Sequence, residues 1–247
     1  MANSKRYRSN RLETVNLILD TRFKHPEHYW ISSIQHQVTS IYPTFASMII
    51  PQSLKLETDK VILRPMQQED ISSFARITND ASVWRYFTFL LNNSAELQRW
   101  VEVALKEREE GKRIPFTIIE KATGEICGST SFGSISYYDK RIEIGWSWLA
   151  KHYQGTGINF HAKFSMLSYA FDVLDWERVE IKTDNLNERA KQGLRKIGAK
   201  EEGVLRSHMQ MPLDRRRDSV FFSILKDEWP KIKHSIFKEI TSFQYSE

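Results

Sequence analysis

The spacing of apolar residues between positions 141 and 174 is the clearest structural signal in the chain. From Arg141 to Leu149, apolar and polar residues alternate, which is the pattern of a strand whose two faces meet different surroundings. The alternation predicts Ile142, Ile144, Trp146 and Trp148 on one face, and Glu143, Gly145 and Ser147 on the other. Farther along, five apolar residues are spaced four, three, four and three positions apart: Phe160, Phe164, Leu167, Phe171 and Leu174. This spacing predicts one continuous apolar stripe on a helix that packs firmly against the rest of the protein.

The same kind of pattern predicts alternating strands and helices on both sides of this segment. Before it, the pattern predicts a strand at residues 61–65, helices at 67–79 and 94–110, and a hairpin from 116–120 and 125–132. After it, the pattern predicts a strand at 178–183, a helix from about 187 to 197, strands near 202–210 and 218–225, and a last helix from about 228. This order is typical of an α/β fold (mixed, of the α+β kind) in which the strand–helix–strand unit is parallel.

A polar turn with two glycines joins the central strand to the central helix. It runs through Gln154, Gly155, Thr156, Gly157, Ile158 and Asn159. A turn of this kind directs several backbone N–H groups toward one point, and the dipole of the following helix adds about half a positive charge there. The segment therefore predicts a site for a phosphate or pyrophosphate group that needs no lysine.

Four stretches in register make the chain similar to a known family. They are Leu63-Arg64-Pro65, then Glu143-Ile144-Gly145-Trp146 through Gln154-Gly155-Thr156-Gly157, then Asp184-Asn185-Leu186-Asn187, and last Gly198 to Arg206 through Arg217-Asp218 to Glu228-Trp229. Over about residues 56–232, the chain resembles the RimJ/RimL-type branch of the GNAT superfamily of N-acetyltransferases. The glycine turn alone is a weak signal, whereas four stretches over about 170 residues are a specific one.

The resemblance implies a twisted, mixed sheet that is flanked by helices and splayed open between the strand ending near Leu149 and the strand starting near Arg178. The pantetheine arm of acetyl-coenzyme A (acetyl-CoA), the co-substrate, would lie in that gap. Its pyrophosphate would lie on backbone N–H groups from Gly155 to Asn159, and Asn187 would contact the pantetheine region. The implied cofactor-binding residues are therefore Gln154, Gly155, Thr156, Gly157, Ile158, Asn159 and Asn187, and we expect no metal. Asn159 departs from the Gly or Ala that ends the family pattern, and backbone donors tolerate this.

The implied reaction is transfer of the acetyl group to an amine by direct attack of the amine on the thioester. Glu143 is the candidate catalytic base, acting directly or through a water, because it shares a predicted strand face with Gly145 beside the gap. The alternative is that Glu143 pairs with Arg141 or another cation of the sheet. Many relatives carry a serine three residues after Asn187 as the acid for the departing thiolate, but this chain has Ala190. The acid is therefore unassigned.

The acceptor is an amine that must be neutral when it attacks. An α-amine with a pKa of about 8 is neutral in about one molecule in ten at pH 7, whereas a lysine side chain with a pKa of about 10.4 is neutral in about one in 2,500. Since no strong acid–base pair is evident, the sequence favours an α-amine or another amine of low pKa. A protein N-terminus, notably of a ribosomal protein, and a small amine such as an antibiotic or a polyamine stay open as acceptors. A homodimer stays open as well.

Several other residues admit two interpretations. His208 is a second candidate base or a solvated strand histidine, and His152 lines either the cofactor or the surface. Cys127 is interpreted as a buried structural thiol rather than a nucleophile, because it has no obvious basic partner. The run Arg215-Arg216-Arg217 is interpreted as a solvated hairpin tip, with docking of an acidic substrate as the alternative. Four aromatic residues either cover the acceptor site or belong to the core: Trp84, Tyr86, Phe87 and Phe89.

Composition changes this picture mainly at the N-terminus. Of the 247 residues, 40% are hydrophobic, which is sufficient for a packed core. Residues 1–50 carry six Lys or Arg and three Asp or Glu, a net charge of +3, and the remaining chain carries +2. We expect residues 1–50 to be a weakly ordered extension, or to lie upstream of a true start at Met48, and residues 51–247 to form the acetyltransferase domain. The extension contains His25, His28 and His36, which have no Cys or carboxylate cluster beside them and do not favour a metal site.

The remaining features exclude some classes of protein. No apolar run approaches the ~20 residues of a transmembrane helix, and no apolar segment follows the basic N-terminus as in a signal peptide. Cys127, the single cysteine, cannot form an internal disulfide, so we expect a protein of the reducing cytoplasm. The nearly balanced charge of the main body gives little support for a nucleic-acid surface. Two rivals stay open: a non-catalytic acyl-CoA-binding module, favoured by Ala190, and a nucleic-acid-binding protein that uses the basic arm at residues 5–11.

Overall fold

A nine-stranded mixed sheet organises the part of the protein that the structure describes. The computed structural model describes residues 50–247. Residues 1–49 of the predicted extension, with its three histidines and its basic arm, lie outside the described residues, so the predictions made for them stay predictions. Among residues 50–247, no helix combines the length and the apolar character that a membrane crossing requires.

The predicted fold class is confirmed, and two short strands are added to it, of which the last in the chain forms one edge of the sheet. The strands are β1 (Lys55–Thr58), β2 (Val61–Pro65), β3 (Arg113–Glu120), β4 (Ile126–Ser136), β5 (Arg141–Leu149), β6 (Arg178–Asp184), β7 (Lys200–Gln210), β8 (Arg216–Leu225) and β9 (Phe243–Ser246). The helices are α1 (Asp70–Ile77), α2 (Ser94–Glu109), α3 (Ile158–Ser168), α4 (Glu188–Lys196) and α5 (Trp229–Ile236). A π-helical turn, Tyr169–Val173, extends α3. The sequence pattern did not predict β1 and β9, which have four residues each and pair with one another.

The order of strands in the sheet is β7-β8-β6-β5-β4-β3-β2-β1-β9, and β5 runs parallel to β6. These two strands share only three residue pairs, from Arg141 with Arg178 to Glu143 with Glu180. Beyond Glu143, β5 continues beside β4 as far as Leu149, while β6 continues beside β8 to its end. The two halves of the sheet therefore diverge and leave a gap, the β5–β6 gap, which confirms the predicted splay.

Buried apolar side chains form two clusters, and α3 is packed into the larger one. The larger cluster joins α3 and α5 to the sheet, whereas the second joins α1 and α2 to it. Of the predicted stripe, four residues are buried and one packs at the margin: Phe164, Leu167, Phe171 and Leu174, with Phe160 at the margin. Each buried side chain of this size contributes about 1.5–3 kcal/mol before the entropy of ordering is counted. The start of α3 is therefore held in place by the packing of the helix body.

A β-bulge interrupts β5 near its middle. In the pairing of β4 with β5, Trp146 and Ser147 together lie opposite Thr130 alone. The φ of Trp146 is +52°, in the left-handed region that bulky residues seldom occupy. An extra residue of this kind shifts the alternation of a strand, so the side chains after the bulge change face.

The bulge places the apolar residues of β5 on both faces of the sheet. Ile142 and Ile144 pack in the cluster of α3, whereas Trp148 packs in the cluster of α1 and α2, with Trp146 at its margin. The prediction that all four share one face is therefore wrong. For the same reason, Ser147 faces α3 and contacts a side chain of that helix, which the simple alternation did not predict.

Candidate active site

The start of α3 presents a row of backbone N–H groups without partners among the described residues. Gly155 and Gly157 both have positive φ, +87° and +93°, and Gly157 directly precedes the first turn of α3. The first backbone hydrogen bond of the helix runs from the His161 N–H to the Gly157 carbonyl, at 3.1 Å. No described side chain caps this end, and the first turn holds no acidic residue. Residues 158–160 therefore leave N–H groups free, which is the geometry that an anion needs.

Side chains of the turn hold the turn itself together. Gln154 donates from Nε2 to the Leu149 carbonyl at 3.1 Å and accepts at Oε1 from Arg189. Thr156 donates from Oγ1 to the Tyr153 carbonyl at 2.8 Å. Because these side chains already have partners, the turn can offer a ligand its main chain more readily than its side chains. The role of the turn in cofactor binding stays a prediction.

Two cations that sequence reasoning missed lie beside the turn. Lys60, between β1 and β2, donates from Nζ to the Thr156 carbonyl at 2.6 Å, and a Cβ added to Gly157 would come within 3.3 Å of that Nζ. Arg189, in the first turn of α4, reaches Gln154 from the β6 side of the gap. Lys60 is 96 residues from Thr156 in sequence, so no local motif connects the two. Both cations favour an anionic group at the turn.

The other predicted cofactor-binding residues differ in what they can offer. Ile158 is fully buried in the core and Asn159 is exposed, so main-chain donors are the groups they share. Asn187 caps α4: its Oδ1 accepts from the Ala190 N–H at 3.1 Å, and this leaves its amide hydrogens for another partner. Asn187 follows the end of β6, which forms one wall of the gap. These positions suit the predicted roles, which stay predictions.

Glu143 lies where β5 and β6 part, and its ionic partner is a lysine. The side chain is 4% exposed, and Oε2 accepts from Lys182 Nζ at 2.6 Å and from Ser134 Oγ at 2.9 Å. A Cβ added to Gly145 would come within 2.9 Å of Oε1, so this glycine leaves room for the carboxylate. Arg141, the partner that the sequence suggested, contacts other carboxylates. Glu143 is thus a buried, ion-paired carboxylate at the closed end of the gap, and its role as a base stays a prediction.

A second polar cluster lies on β7 and β8 and contains His208, Arg217 and Ser219. Ser219 is fully buried, and its Oγ lies 3.0 Å from both His208 Nδ1 and Arg217 Nε. Burial, followed by the positive charges of Lys182 and Arg217, lowers the pKa of His208. His208 is therefore a half-buried, hydrogen-bonded residue rather than the solvated strand histidine that the sequence suggested.

The interpretation of residues 215–217 as a solvated hairpin tip is wrong for two of the three arginines. Arg217 is 7% exposed, and burial lowers its pKa against the opposing effect of Asp184. Arg215 forms an ion pair with Asp184, whose side chain is fully buried. Arg216 is exposed, with Ser207 as a partner. A run of like charges does not show which members a strand turns inward, and β8 begins within this run.

Lys163 is a buried lysine that the sequence analysis did not single out. It is 4% exposed and donates from Nζ to Ser147 Oγ at 2.7 Å. Burial lowers its pKa from the ordinary 10.5 to about 7, against the opposing effect of Glu143. Its place three residues after Phe160, on the apolar stripe of α3, was the signal that could have found it, because lysine is seldom fully buried.

The aromatic residues that follow α1 pack mainly as core. Trp84 is 1% exposed, donates from Nε1 to the Thr78 carbonyl at 2.9 Å, and packs edge-on against Trp148, with ring centroids 5.3 Å apart. The rest of the group is half-buried: Tyr86, Phe87 and Phe89. Of the two interpretations, core packing therefore holds for Trp84.

The structure favours a structural role for Cys127 and a surface position for His152. Cys127 is fully buried, and burial raises the pKa of its thiol to about 12, so it is a structural thiol rather than a nucleophile. His152 is exposed and contacts the Tyr153 ring at a tilt of 45°, with ring centroids 4.2 Å apart, which places it at the surface.

Comparison with known proteins agrees with the fold. Residues 60–200, more than half of the chain, match the family model described as an acetyltransferase (GNAT) domain. The chain therefore belongs to the GNAT acetyltransferase family, and it is an N-acetyltransferase.

Individual relatives support the same branch of the family. The chain is 27% identical over 175 residues to "Uncharacterized N-acetyltransferase p20" of Bacillus licheniformis, which covers 70% of this chain and 97% of that protein. It is 34% identical over 106 residues to "Putative ribosomal N-acetyltransferase YdaF" of Bacillus subtilis (strain 168), covering 43% of this chain and 57% of that protein. The solved structure of Mycobacterium smegmatis RimJ in complex with CoA-disulfide shares the fold, with a TM-score of 0.64 at 21% identity over 75% of this chain and 92% of that one. The resemblance to the RimJ/RimL-type branch is thereby confirmed.

Proposed function

We propose that the protein transfers the acetyl group of acetyl-CoA to an amine, by direct attack of that amine on the thioester. The observation that carries the proposal is the open start of α3 close to the β5–β6 gap. An anion-binding turn near an open strand edge suits a molecule with a pyrophosphate at one end and an extended, amide-containing arm. Coenzyme A has both features.

The residues present fit this donor. Main-chain N–H groups of residues 155–159 would hold the pyrophosphate, with Lys60 and Arg189 beside them as cations. The pantetheine arm would lie in the gap, where β5 beyond Glu143 has no pairing with β6 and Asn187 offers its amide hydrogens. The bound donor supplies an acetyl group activated as a thioester, and the protein supplies position and proton transfer.

Glu143 is proposed as the group that takes the proton of the acceptor amine, directly or through a water. Its hydrogen bonds with Lys182 and Ser134 both use Oε2, so Oε1 stays available with respect to residues 50–247. Lys182 balances the charge of the buried carboxylate, which would otherwise be costly at the closed end of the gap.

A protein N-terminus is the acceptor that we propose. An α-amine has a larger neutral fraction than a lysine side chain at neutral pH and needs less help from a base. YdaF, whose name includes the word ribosomal, supports a ribosomal protein as the acceptor. A small amine is the alternative acceptor, and a homodimer and a cytoplasmic location stay predictions.

One experiment combines binding with turnover. Calorimetry of the full chain with acetyl-CoA measures binding, and mass spectrometry with α-amine peptides, ribosomal proteins and polyamines measures the gain of one acetyl group. We expect binding together with acetylation of an α-amine. Binding without turnover on any acceptor would favour the acyl-CoA-binding module, and no binding would contradict both. A salt titration with nucleic acid, before and after removal of residues 5–11, tests the remaining rival.

A further inference from the structure

A chain of three polar side chains crosses from α3 to the bulge in β5. Lys163 Nζ donates to Ser147 Oγ at 2.7 Å, and the hydroxyl oxygens of Thr130 and Ser147 lie 2.7 Å apart. Lys163 and Thr130 are buried, whereas Ser147 is half-buried. Ser147 is therefore the most exposed member of this chain, and it lies on the part of β5 that has no pairing with β6.

The hydrogen of the Ser147 hydroxyl has two alternative acceptors among residues 50–247, the Gly145 carbonyl and Thr130 Oγ1. Because Lys163 is a donor, it binds the oxygen of Ser147 and leaves the hydroxyl hydrogen for another acceptor. The Gly145 carbonyl lies 3.3 Å from Ser147 Oγ, beyond the usual range of about 2.5–3.0 Å for O–H···O bonds. Thr130 has the weak acceptor Met166 Sδ as its other partner, so it can equally donate to Ser147. Ser147 can therefore direct its hydrogen toward the gap.

Ser147 and Glu143 lie on opposite faces of the same strand. Glu143 is the last residue of β5 that pairs with β6, and Ser147 lies four residues farther on, along the open part of the gap. The bulge at Trp146 turns Ser147 toward α3, whereas Glu143 lies on the other face with Lys182. Direct acyl transfer is accelerated by a base that takes the proton of the amine and an acid that protonates the thiolate, and groups on the two faces of one strand can serve these two roles separately.

From this geometry we propose that Ser147 is the acid that protonates the departing thiolate, and that Lys163 positions Ser147 and resupplies its proton. The proposal rests on the proposed acetyl-CoA-dependent function, and it fills the place that Ala190 leaves empty. The amine nitrogen forms a bond to the carbonyl carbon, and the carbon–sulfur bond breaks with its electron pair going to sulfur. Sulfur takes the hydroxyl proton of Ser147, and the Lys163 ammonium returns a proton to Ser147. The proton of the amine leaves through Glu143 to water, and water protonates Lys163 again.

The Lys163 ammonium can supply a proton to Ser147 at neutral pH. Burial lowers the pKa of Lys163 to about 7, so its ammonium gives up a proton readily. Among residues 50–247, the charged group that acts on Lys163 is Glu143, which itself has an ion-pair partner on β6. Glu143 of β5 raises this pKa, and Lys182 of β6 is bound to Glu143 and balances its charge. The neighbouring strand β4 contributes Thr130, which does not titrate.

The test is the pH profile of kcat for four forms of the full chain, with acetyl-CoA and the α-amine acceptor found in the screen. They are the wild type, Ser147→Ala, Lys163→Met and, as the matched control, Ser165→Ala. Ser165 is a fully buried serine of α3 whose hydroxyl bonds the Ala162 carbonyl and does not contact Ser147. In the wild type, kcat should fall as the pH rises above about 7, because the acid chain must hold its proton.

We expect Ser147→Ala and Lys163→Met to lower kcat about 10²-fold. In both variants kcat should no longer decrease above about pH 7. The Kd of acetyl-CoA, measured by calorimetry, should be unchanged. Ser165→Ala should keep the wild-type profile. Wild-type kcat and an unchanged pH profile in Ser147→Ala would overturn the proposal. If thermal melting shows that Lys163→Met does not fold, the result for Ser147→Ala is sufficient to test the proposal. A wild type that neither binds acetyl-CoA nor acetylates any amine would instead contradict the proposed function on which this inference rests.

Discussion

Burying a charged side chain costs free energy unless a partner offsets the cost, and the residues of the β5–β6 gap meet that cost in two ways. Glu143 has an ion-pair partner in Lys182. Lys163 has the uncharged Ser147 as its hydrogen-bond partner, and its pKa is lowered instead. A structural core seldom contains such groups, and their concentration at one opening of the sheet is typical of a reactive site.

Replacement of Glu143 by Gln tests the proposed base. The amide keeps the size of the side chain but is not a base, so we expect turnover to fall about 10²–10⁴-fold. The affinity for acetyl-CoA, measured by calorimetry, should be unchanged because the turn at residues 155–159 is not altered. Glu180→Gln is the matched control, since Glu180 is the paired carboxylate on β6 and has arginine partners. Wild-type turnover in the Glu143→Gln protein would remove this residue from the mechanism.

The helix α3 combines a packed body with an open first turn in a single element. Its body is fixed by apolar side chains in the larger cluster, and its first turn carries open N–H groups. Since the helix body is packed, these donors are already oriented before any ligand arrives, and little ordering entropy is lost on binding. The bulge in β5 has a comparable effect, because it redirects Ser147 toward α3 while β5 stays paired with β4 on both sides of the bulge.

Gly157→Ala tests whether the turn binds the donor through its main chain. A φ of +93° costs a non-glycine residue about 1–2 kcal/mol, and the new methyl carbon would lie 3.3 Å from Lys60 Nζ. We expect the turn to shift and the affinity for acetyl-CoA to weaken about 5–30-fold by calorimetry.

Asn159→Ala is the control for this change. Its side chain is exposed and its N–H is kept, so affinity should stay within about twofold of the wild type. Wild-type affinity in Gly157→Ala, or an equally large loss in Asn159→Ala, would contradict binding of the donor mainly by main-chain groups of the turn.

In the folded domain, the larger apolar cluster and the β5–β6 gap are separate regions. The larger apolar cluster contains residues from both halves of the sheet, such as Phe116 of β3 and Phe222 of β8. It therefore joins the halves while β5 and β6 part beyond Glu143. A gap formed in this way exposes strand edges while the apolar cluster still connects the two halves of the sheet.

Lys163 leads to a prediction about stability and pH. Its pKa is about 7 in the folded protein and 10.5 ordinarily, so between these values the unfolded chain binds more protons at this position. The contribution of Lys163 to the free energy of unfolding therefore rises with pH in that range, and below about pH 7 the folded protein carries the full cost of the buried charge. We expect the free energy of unfolding of Lys163→Met to exceed that of the wild type by the largest amount at pH 6. This difference should become smaller from pH 7 to 9.

Urea unfolding of both proteins at several pH values measures this difference. The pKa of Cys127 is raised from 9.0 to about 12, so its contribution to the free energy of unfolding decreases as the pH rises above 9. Both proteins contain Cys127, so this effect cancels in the difference between them. A stability difference that does not change with pH would show that Lys163 keeps its proton in the folded protein up to pH 9.

Most helices and strands follow from local repeats in the sequence. The alternation predicted β5 at its observed bounds, and the four–three spacing predicted the buried stripe of α3. These repeats are local because helical and extended backbones have fixed periods. The short edge strand β9, Phe243–Ser246, has four residues and escaped notice, since a pattern of period two needs more positions to be recognised.

The chemistry of the gap, in contrast, depends on contacts between distant parts of the chain. Lys60 reaches the turn before α3, Lys182 pairs with Glu143, and Lys163 meets Ser147, each across 16 or more residues. Burial of a charge and the pKa that follows depend on which surfaces pack together, and no local repeat specifies that. The chain's own periodicity therefore specifies where strands and helices form and where an anion can bind, while three-dimensional packing selects which ionisable groups face the gap and in what protonation state.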